Sequence, residues 1–368
     1  MNIRYLLIFM PIAIVAWALS LGPQIVFILS MMGLIPLAAI LAESTEVLAY
    51  KTGPKIGSLL NATFGNAVDL ILLFALLRSG QIELVKASIV GSILTTMLLV
   101  VGLSQLIGGL KNGIQRFNKE GSGMASSMMM LALAGLALPT ILGMVHQAQE
   151  GLHFSSVFQD SALETLSLAI AAVLLILYGL QIIFQFRQPQ NVKAEQEMEV
   201  IEAEDPGDGP LWSLHHALGL LLASTLGIVI MSELVSASVE PFGESLGLSP
   251  LFIGVIIMPL AGAVSEIMVG VRTARRNKLD LSLSIASNSV MQMALFVAPL
   301  LAFLSLGFSE QLTLYFNFFE VLALGLTVFA AIIIASDNVS TWLEGAQFIS
   351  LYLILALWFL FLVPVAPN

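Results

Sequence analysis

The chain has 368 residues, 58 % of them hydrophobic and only 10 % charged, with a formal net charge of −10 and no cysteine. So much apolar surface cannot be hidden in a soluble domain of this size, and the chain reads as a polytopic membrane protein. The composition excludes a disulfide framework and any thiolate metal centre and, for want of a basic patch with aromatics, gives no sign of nucleic-acid binding.

Arg4 followed by an apolar run resembles a signal peptide at first. Leu19-Ser20-Leu21-Gly22-Pro23, however, passes straight into another apolar run without the polar segment that cleavage would release, so the first run counts as a retained span. At roughly 20 apolar residues per span, about eleven are expected: about 4–20, 23–49, 56–77, 82–109, 123–146, 161–186, 211–239, 248–273, 278–305, 312–335 and 341–364. If these alternate sides, Arg4, Lys51, Lys55, Lys111, Arg116, Lys119, Arg187, Lys193, Arg272, Arg275, Arg276 and Lys278 share the side of the amino terminus, and of the 14 basic residues only Arg78 and Lys86 lie opposite. The positive-inside rule then makes the amino terminus cytoplasmic and the carboxyl terminus external. Short loops and the lack of a long amino-terminal extension point to a prokaryotic plasma (inner) membrane.

The longest polar interruption, Gln188 to Gly209, carries Glu195, Glu197, Glu199, Glu202, Glu204, Asp205 and Asp208. It reads either as a solvated linker or as a cation-attracting or regulatory element at the cytoplasmic mouth. On each side of it the same pattern occurs. Gly57, Gly65, Asp69, Arg78, Ser92 and Leu98 are matched, always 197 positions later, by Gly254, Gly262, Glu266, Arg275, Ser289 and Leu295. Five crossings separate the copies, so the copies are inverted, the layout of secondary transporters whose ion site lies at the repeat interface. The expected fold is therefore an all-α polytopic membrane protein with an extra first helix (1–21), a five-helix repeat (22–187), an acidic cytoplasmic linker (188–210) and a second, inverted five-helix repeat (211–368).

Intramembrane carboxylates are costly and so mark function. Asp69 and Glu266 each follow a Gly and small residues, where backbone can open, and the pseudo-two-fold would turn them toward each other. Two carboxylates with carbonyls and hydroxyls make a hard oxygen cage for calcium or a similar cation. Empty, such a pair disfavours double ionisation, so at least one acid takes a proton, and exchange of cation for protons follows. Ser92 and Ser289 occupy equivalent positions, Thr95 matches Gln292, and Asn66 and Asn288 are further oxygen donors, each equally able to serve as helix-packing glue. Glu43 and Glu46 precede the first copy and Glu233 and Glu240 the second, as proton relays or gates or as solvated acids at helix ends. The spacing pairs Glu43 with Glu240, whereas the local sequence pairs Glu46 with Glu233. His146, His153, His215 and His216 lie near span ends without zinc-ligand spacing, and no phosphate loop is present.

Thr45-Glu46-Val47-Leu48-Ala49, Gly53-Pro54 and the run Gly57 to Leu70 resemble the first signature repeat of the calcium/proton antiporters, the cation exchanger (CAX) branch of the calcium/cation antiporter superfamily. The second signature is similar to Pro259 to Glu266, Asn277 to Leu281 and the stretch through Gln292 to Pro299. The resemblance implies a secondary active transporter, not an enzyme, in which Asp69 and Glu266 hold calcium and protons alternately, Asn66, Ser289 and Gln292 assist, and Glu46 stands at the cytoplasmic entrance. It implies no cofactor beyond the transported ions and no partner beyond cation, protons and membrane lipid, and it leaves homo-oligomerisation open. The chain departs from that pattern at Asp69, where the family has Glu, at Ala263 and Ile267, where it has Asn and His, and at Thr95-Thr96, where it has Ser-Asn. A shorter acid and a missing amide enlarge the cage, which keeps sodium or manganese open as alternative cargo. An intramembrane acid hydrolase and a non-transporting cation sensor are the readings from other classes.

Overall fold

A computed structural model describes residues 3–53, 60, 63–117, 119–150, 161–187, 212–335 and 339–361. The acidic linker and most of the stretch 54–62 lie outside these residues. Among the described residues eleven helical rods follow one another: α1 (Phe9–Ala18, led by the 3-10 segment Ile3–Ile8), α2 (Pro23–Thr52), α3 (Ala67–Arg78), α4 (Ile82–Asn112), α5 (Lys119–Glu150), α6 (Ser161–Arg187), α7 (Leu214–Leu246), α8 (Pro250–Arg275), α9 (Leu279–Gly307), α10 (Phe318–Ala335) and α11 (Trp342–Phe361). Among the described residues, all but α1, α3 and α10 are long and apolar enough to cross a membrane on their own. The protein is thus a helical membrane protein with roughly the number of spans expected.

The helix ends follow local chemistry. α3 stops at Ser79-Gly80, where Gly80 takes φ +80°, a value that suits a residue without Cβ. α8 starts at Ser249-Pro250: the Ser249 Oγ accepts a hydrogen bond from the Phe252 amide at 3.1 Å, and Pro250 fills the first turn, where no amide hydrogen is needed. The span expected at 56–77 is not one continuous rod, because Gly65 and Asn66 form a turn and α3 begins only at Ala67. Gly65 weakens the helix there, and Asn66 can bond elsewhere than along it. The tenth span likewise begins late, since Leu312 to Phe316 are buried without being helical.

α2 and α7, counterparts in the repeat, pack antiparallel. The rings of Phe27 and Phe242 stack 4.2 Å apart, Gly33 faces Met231, and Gly227 faces Leu37. Antiparallel counterparts are what an inverted duplication requires. α4 is the most enclosed helix, apolar nearly all round and buried accordingly. It runs parallel to α8 at backbone contact: a methyl on Gly91 would come 2.6 Å from the Val255 Cα and collide with its carbonyl, and Gly254 abuts Ala87 in the same way. Farther along, Gly270 sits against Ser104 and Gly108 against Ala274. Small residues on both helices therefore set this crossing. Among the described residues three stretches leave the α-helical register for π-helix: Thr95–Val100 in α4, Ile253–Ile257 in α8 and Met293–Val297 in α9. The first and third correspond within one residue under the 197-residue repeat. Such stretches cluster at functional sites because they re-aim side chains.

Candidate cation site

Asn66 occupies the position before the first turn of α3, with backbone angles of −118° and 28° that leave its side chain free of the helix. Its amide nitrogen donates to the Ser289 carbonyl (3.0 Å) and to Gln292 Oε1 (3.2 Å), both on α9. The Ser289 hydroxyl reaches two acceptors, Asn66 Oδ1 at 3.0 Å and Glu266 Oε1 at 2.6 Å. The other oxygen of Glu266 accepts from the Thr96 hydroxyl of α4 at 2.8 Å. Glu266, near the middle of α8, is thus bonded directly by side chains of α9 and α4, and Asn66, just ahead of α3, joins the network through Ser289 and Gln292.

Asp69 lies in the first turn of α3, and none of these hydrogen bonds reaches it. Its carboxylate rests on Gly262 of α8, where an added methyl would stand 2.6 Å from Oδ1. Only the bare glycine backbone admits the acid. Asp69 and Glu266 lie close enough for their charges to interact, and both are partly buried. Among the described residues no group of three or more His, Asp or Glu comes together. The donors gathered here are two carboxylates with neutral amide and hydroxyl groups, the oxygen chemistry that suits a hard cation.

One hydroxyl carries one hydrogen, so Ser289 cannot donate to Asn66 and Glu266 together. With a proton on Glu266 the chain runs in one direction: Glu266 donates to Ser289, and Ser289 donates to Asn66. Removing that proton turns the Ser289 hydrogen to the carboxylate and frees Asn66 Oδ1. The network therefore has one arrangement for the proton and another that exposes oxygen.

Of the residues singled out from sequence, Asp69, Glu266, Asn66, Ser289 and Gln292 converge. Ser92 is buried but takes no part in these bonds, and neither does Asn288, one residue before Ser289. Thr95 turns away and meets the Tyr352 hydroxyl of α11 at 3.3 Å, while its neighbour Thr96, unmarked as a ligand by the sequence, faces Glu266. Both are hydroxyl-bearing, so only the π-helical register separates them. The four outlying acids are spread along α2 and α7. Glu233 forms an ion pair with Arg78 at 2.6 Å, beside Ser79···Ser236 (2.7 Å) and Gln81 Nε2 donating to the Ser236 carbonyl (2.9 Å), which together tie the end of α3 to α7. Glu240 is exposed. Glu43 and Glu46 are partly buried near the other end of the α2–α7 pair.

The sodium/calcium exchanger protein family model matches residues 23–187 and 216–361. The chain is similar to the Ca(2+)/H(+) antiporter of Aphanothece halophytica, at 40 % identity over 99 % of this chain and 97 % of that one. It is similar to the Ca(2+)/H(+) antiporter of Synechocystis sp. at 38 % identity, covering 97 % and 96 % of the two chains. Among solved structures, native YfkE superposes with a TM-score of 0.79 at 30 % identity, covering 97 % of this chain and 100 % of that chain.

Proposed function

Because the chain belongs to the sodium/calcium exchanger protein family, we propose that it is a secondary active antiporter exchanging cytoplasmic calcium for protons, and that Asp69 and Glu266 hold both kinds of cargo. It is a transporter, not an enzyme. The observation that carries the site assignment is the bonding of Glu266 by Ser289 and Thr96, with Asn66 joined through Ser289 and Asp69 resting on Gly262 of the same helix.

Charge explains why exchange is obligatory. Two carboxylates are neutralised by one divalent cation or by protons, and either load lets the site change sides without an unpaired buried charge. An empty, doubly ionised site is the state that burial opposes. Cytoplasmic calcium displaces the proton from Glu266, turns the Ser289 hydrogen toward the carboxylate and gains Asn66 Oδ1 as a further oxygen. On the opposite side protons reverse these steps. The two faces are presented in turn by movement of α2 and α7 across the core helices, with Glu43 and Glu46 toward the cytoplasmic entrance and Glu233 and Glu240 toward the outer one. The amino terminus is cytoplasmic and the membrane is the plasma membrane of a prokaryote.

Everted vesicles with an imposed pH gradient test this. The wild-type protein is expected to drive calcium uptake that collapses with the gradient, and Asp69→Asn or Glu266→Gln to abolish it with the protein still inserted. Full uptake by either variant, or none by wild type, overturns the assignment. Sodium and manganese in the same assay decide the cargo, since the shorter Asp69 leaves a wider cage than a glutamate would.

A further inference from the structure

α11 lies against α4 at backbone contact. A methyl on Gly345 would collide with the backbone of Leu106 and stand 2.6 Å from the Gly102 carbonyl, and one on Gly109 would stand 2.6 Å from the Trp342 nitrogen. These contacts make the two helices antiparallel and leave little freedom to slide. Seven residues beyond Gly345 is Tyr352, and seven residues before Gly102 is Thr95, two turns along each helix in the directions that bring them together. Their hydroxyls lie 3.3 Å apart, with Tyr352 4 % exposed and Thr95 fully buried.

Thr95 opens the π-helical stretch of α4, and the next residue donates to Glu266. Consecutive helical residues point about 100° apart, so only one of the two threonines can serve the carboxylate. The repeat sets Thr95 against Gln292, and Gln292 does face the site, accepting from Asn66. In α9 the π-helical stretch begins after that residue, at Met293. The two halves therefore use the same pair of positions in different registers, and in the first half the hydroxyl of α11 receives Thr95. At the same level of α9, Gln181 of α6 reaches Met291 Sδ at 3.4 Å, a second outer helix gripping a core helix beside its π-helical stretch.

We propose that Tyr352 is a positioning residue of the exchange site: by engaging the Thr95 hydroxyl it holds α4 in the register that presents Thr96 to Glu266. The role rests on the assignment of Glu266 as a cargo-binding group. Without the tyrosine hydroxyl, the start of the π-helical stretch loses its anchor on α11, and the geometry around Glu266 loosens while the ring of residue 352 still fills its place.

The test is a pair of double-mutant cycles on the full chain, read as KM for calcium in everted vesicles and, independently of turnover, as calcium binding to the purified protein. Tyr352→Phe is expected to weaken calcium binding and raise KM about tenfold, the size of one hydrogen bond to a charged group, with kcat within about twofold. Thr95→Val should reproduce that effect, Thr95→Ser should not, and Tyr352→Phe should add nothing in a Thr96→Val background. Equal effects of Tyr352→Phe with and without Thr96, or a loss of melting temperature with unchanged calcium affinity, overturn the proposal. Wild type and Glu266→Gln run alongside keep the two readings apart. Loss of wild-type exchange sinks the site assignment, whereas additivity within the cycles sinks only the role of Tyr352.

Discussion

The identity of one residue, Gly262, decides whether the two acids can share a site. Asp69, one methylene shorter than a glutamate, rests its carboxylate on position 262 because nothing but backbone stands there. Gly262→Ala is therefore expected to raise the KM for calcium at least tenfold, since a new methyl 2.6 Å from Oδ1 forces the carboxylate aside. Uptake titrations check this, and an unchanged KM would show that Asp69 binds elsewhere. The acids were legible in the sequence because a carboxylate inside an apolar span is rare and a matched pair rarer still. Thr96 was not, because its hydroxyl is chemically the same as that of Thr95 and only the register chooses between them.

Among the elements, α4 organises the rest. It carries Thr96, parallels α8, receives α11 and also bears Lys86, which is 6 % exposed. Lys86 Nζ donates to Thr313 Oγ1 (3.0 Å) and to the Tyr315 carbonyl (2.7 Å), pinning the connection between α9 and α10 onto α4. Glu320 in the first turn of α10 is 2 % exposed, accepts from the Asn317 amide at 2.7 Å and interacts electrostatically with Lys86. Removing one partner of a buried charge set strands the other, so Lys86→Met should cost roughly 3–5 kcal/mol. Adding Glu320→Gln to it should restore part of that loss. Thermal unfolding in detergent measures both, and a double variant no more stable than Lys86→Met would show that the two charges are not coupled. Hydropathy placed these helices well because a bilayer demands continuous apolar runs. It missed the interruption at Gly65-Asn66, since a break buried in protein leaves hydropathy unchanged and satisfies its polar groups through neighbours on α9.

For the molecule as a whole, the antiparallel packing of α2 on α7 and the parallel packing of α4 with α8 are the directions that two inverted halves require. The asymmetry of basic residues predicts the orientation. The chain lacks cysteine, so single introduced cysteines report cleanly. One placed at Gln196 is expected to be modified by an impermeant thiol reagent only from the cytoplasmic side, and one at Pro367 only from outside. Both labelling from one side would refute an odd number of crossings. At the carboxyl-terminal end of α3, the Arg78–Glu233 pair is half-exposed, so its net worth to stability is about 0–1 kcal/mol. Its place between a core helix and α7 matters more than its strength.

The sequence by itself determined the membrane class and roughly the number of spans, and it singled out the repeat and the two candidate acids, because each reading follows from the cost of placing charge or polar backbone in hydrocarbon. Tertiary structure alone decided which oxygens surround Glu266, why Asp69 fits, and which threonine faces the site. Those depend on Gly262, on the crossing of α4 with α8 and on the π-helical register of α4 at Thr95 and Thr96, all set by contacts between residues far apart in the chain.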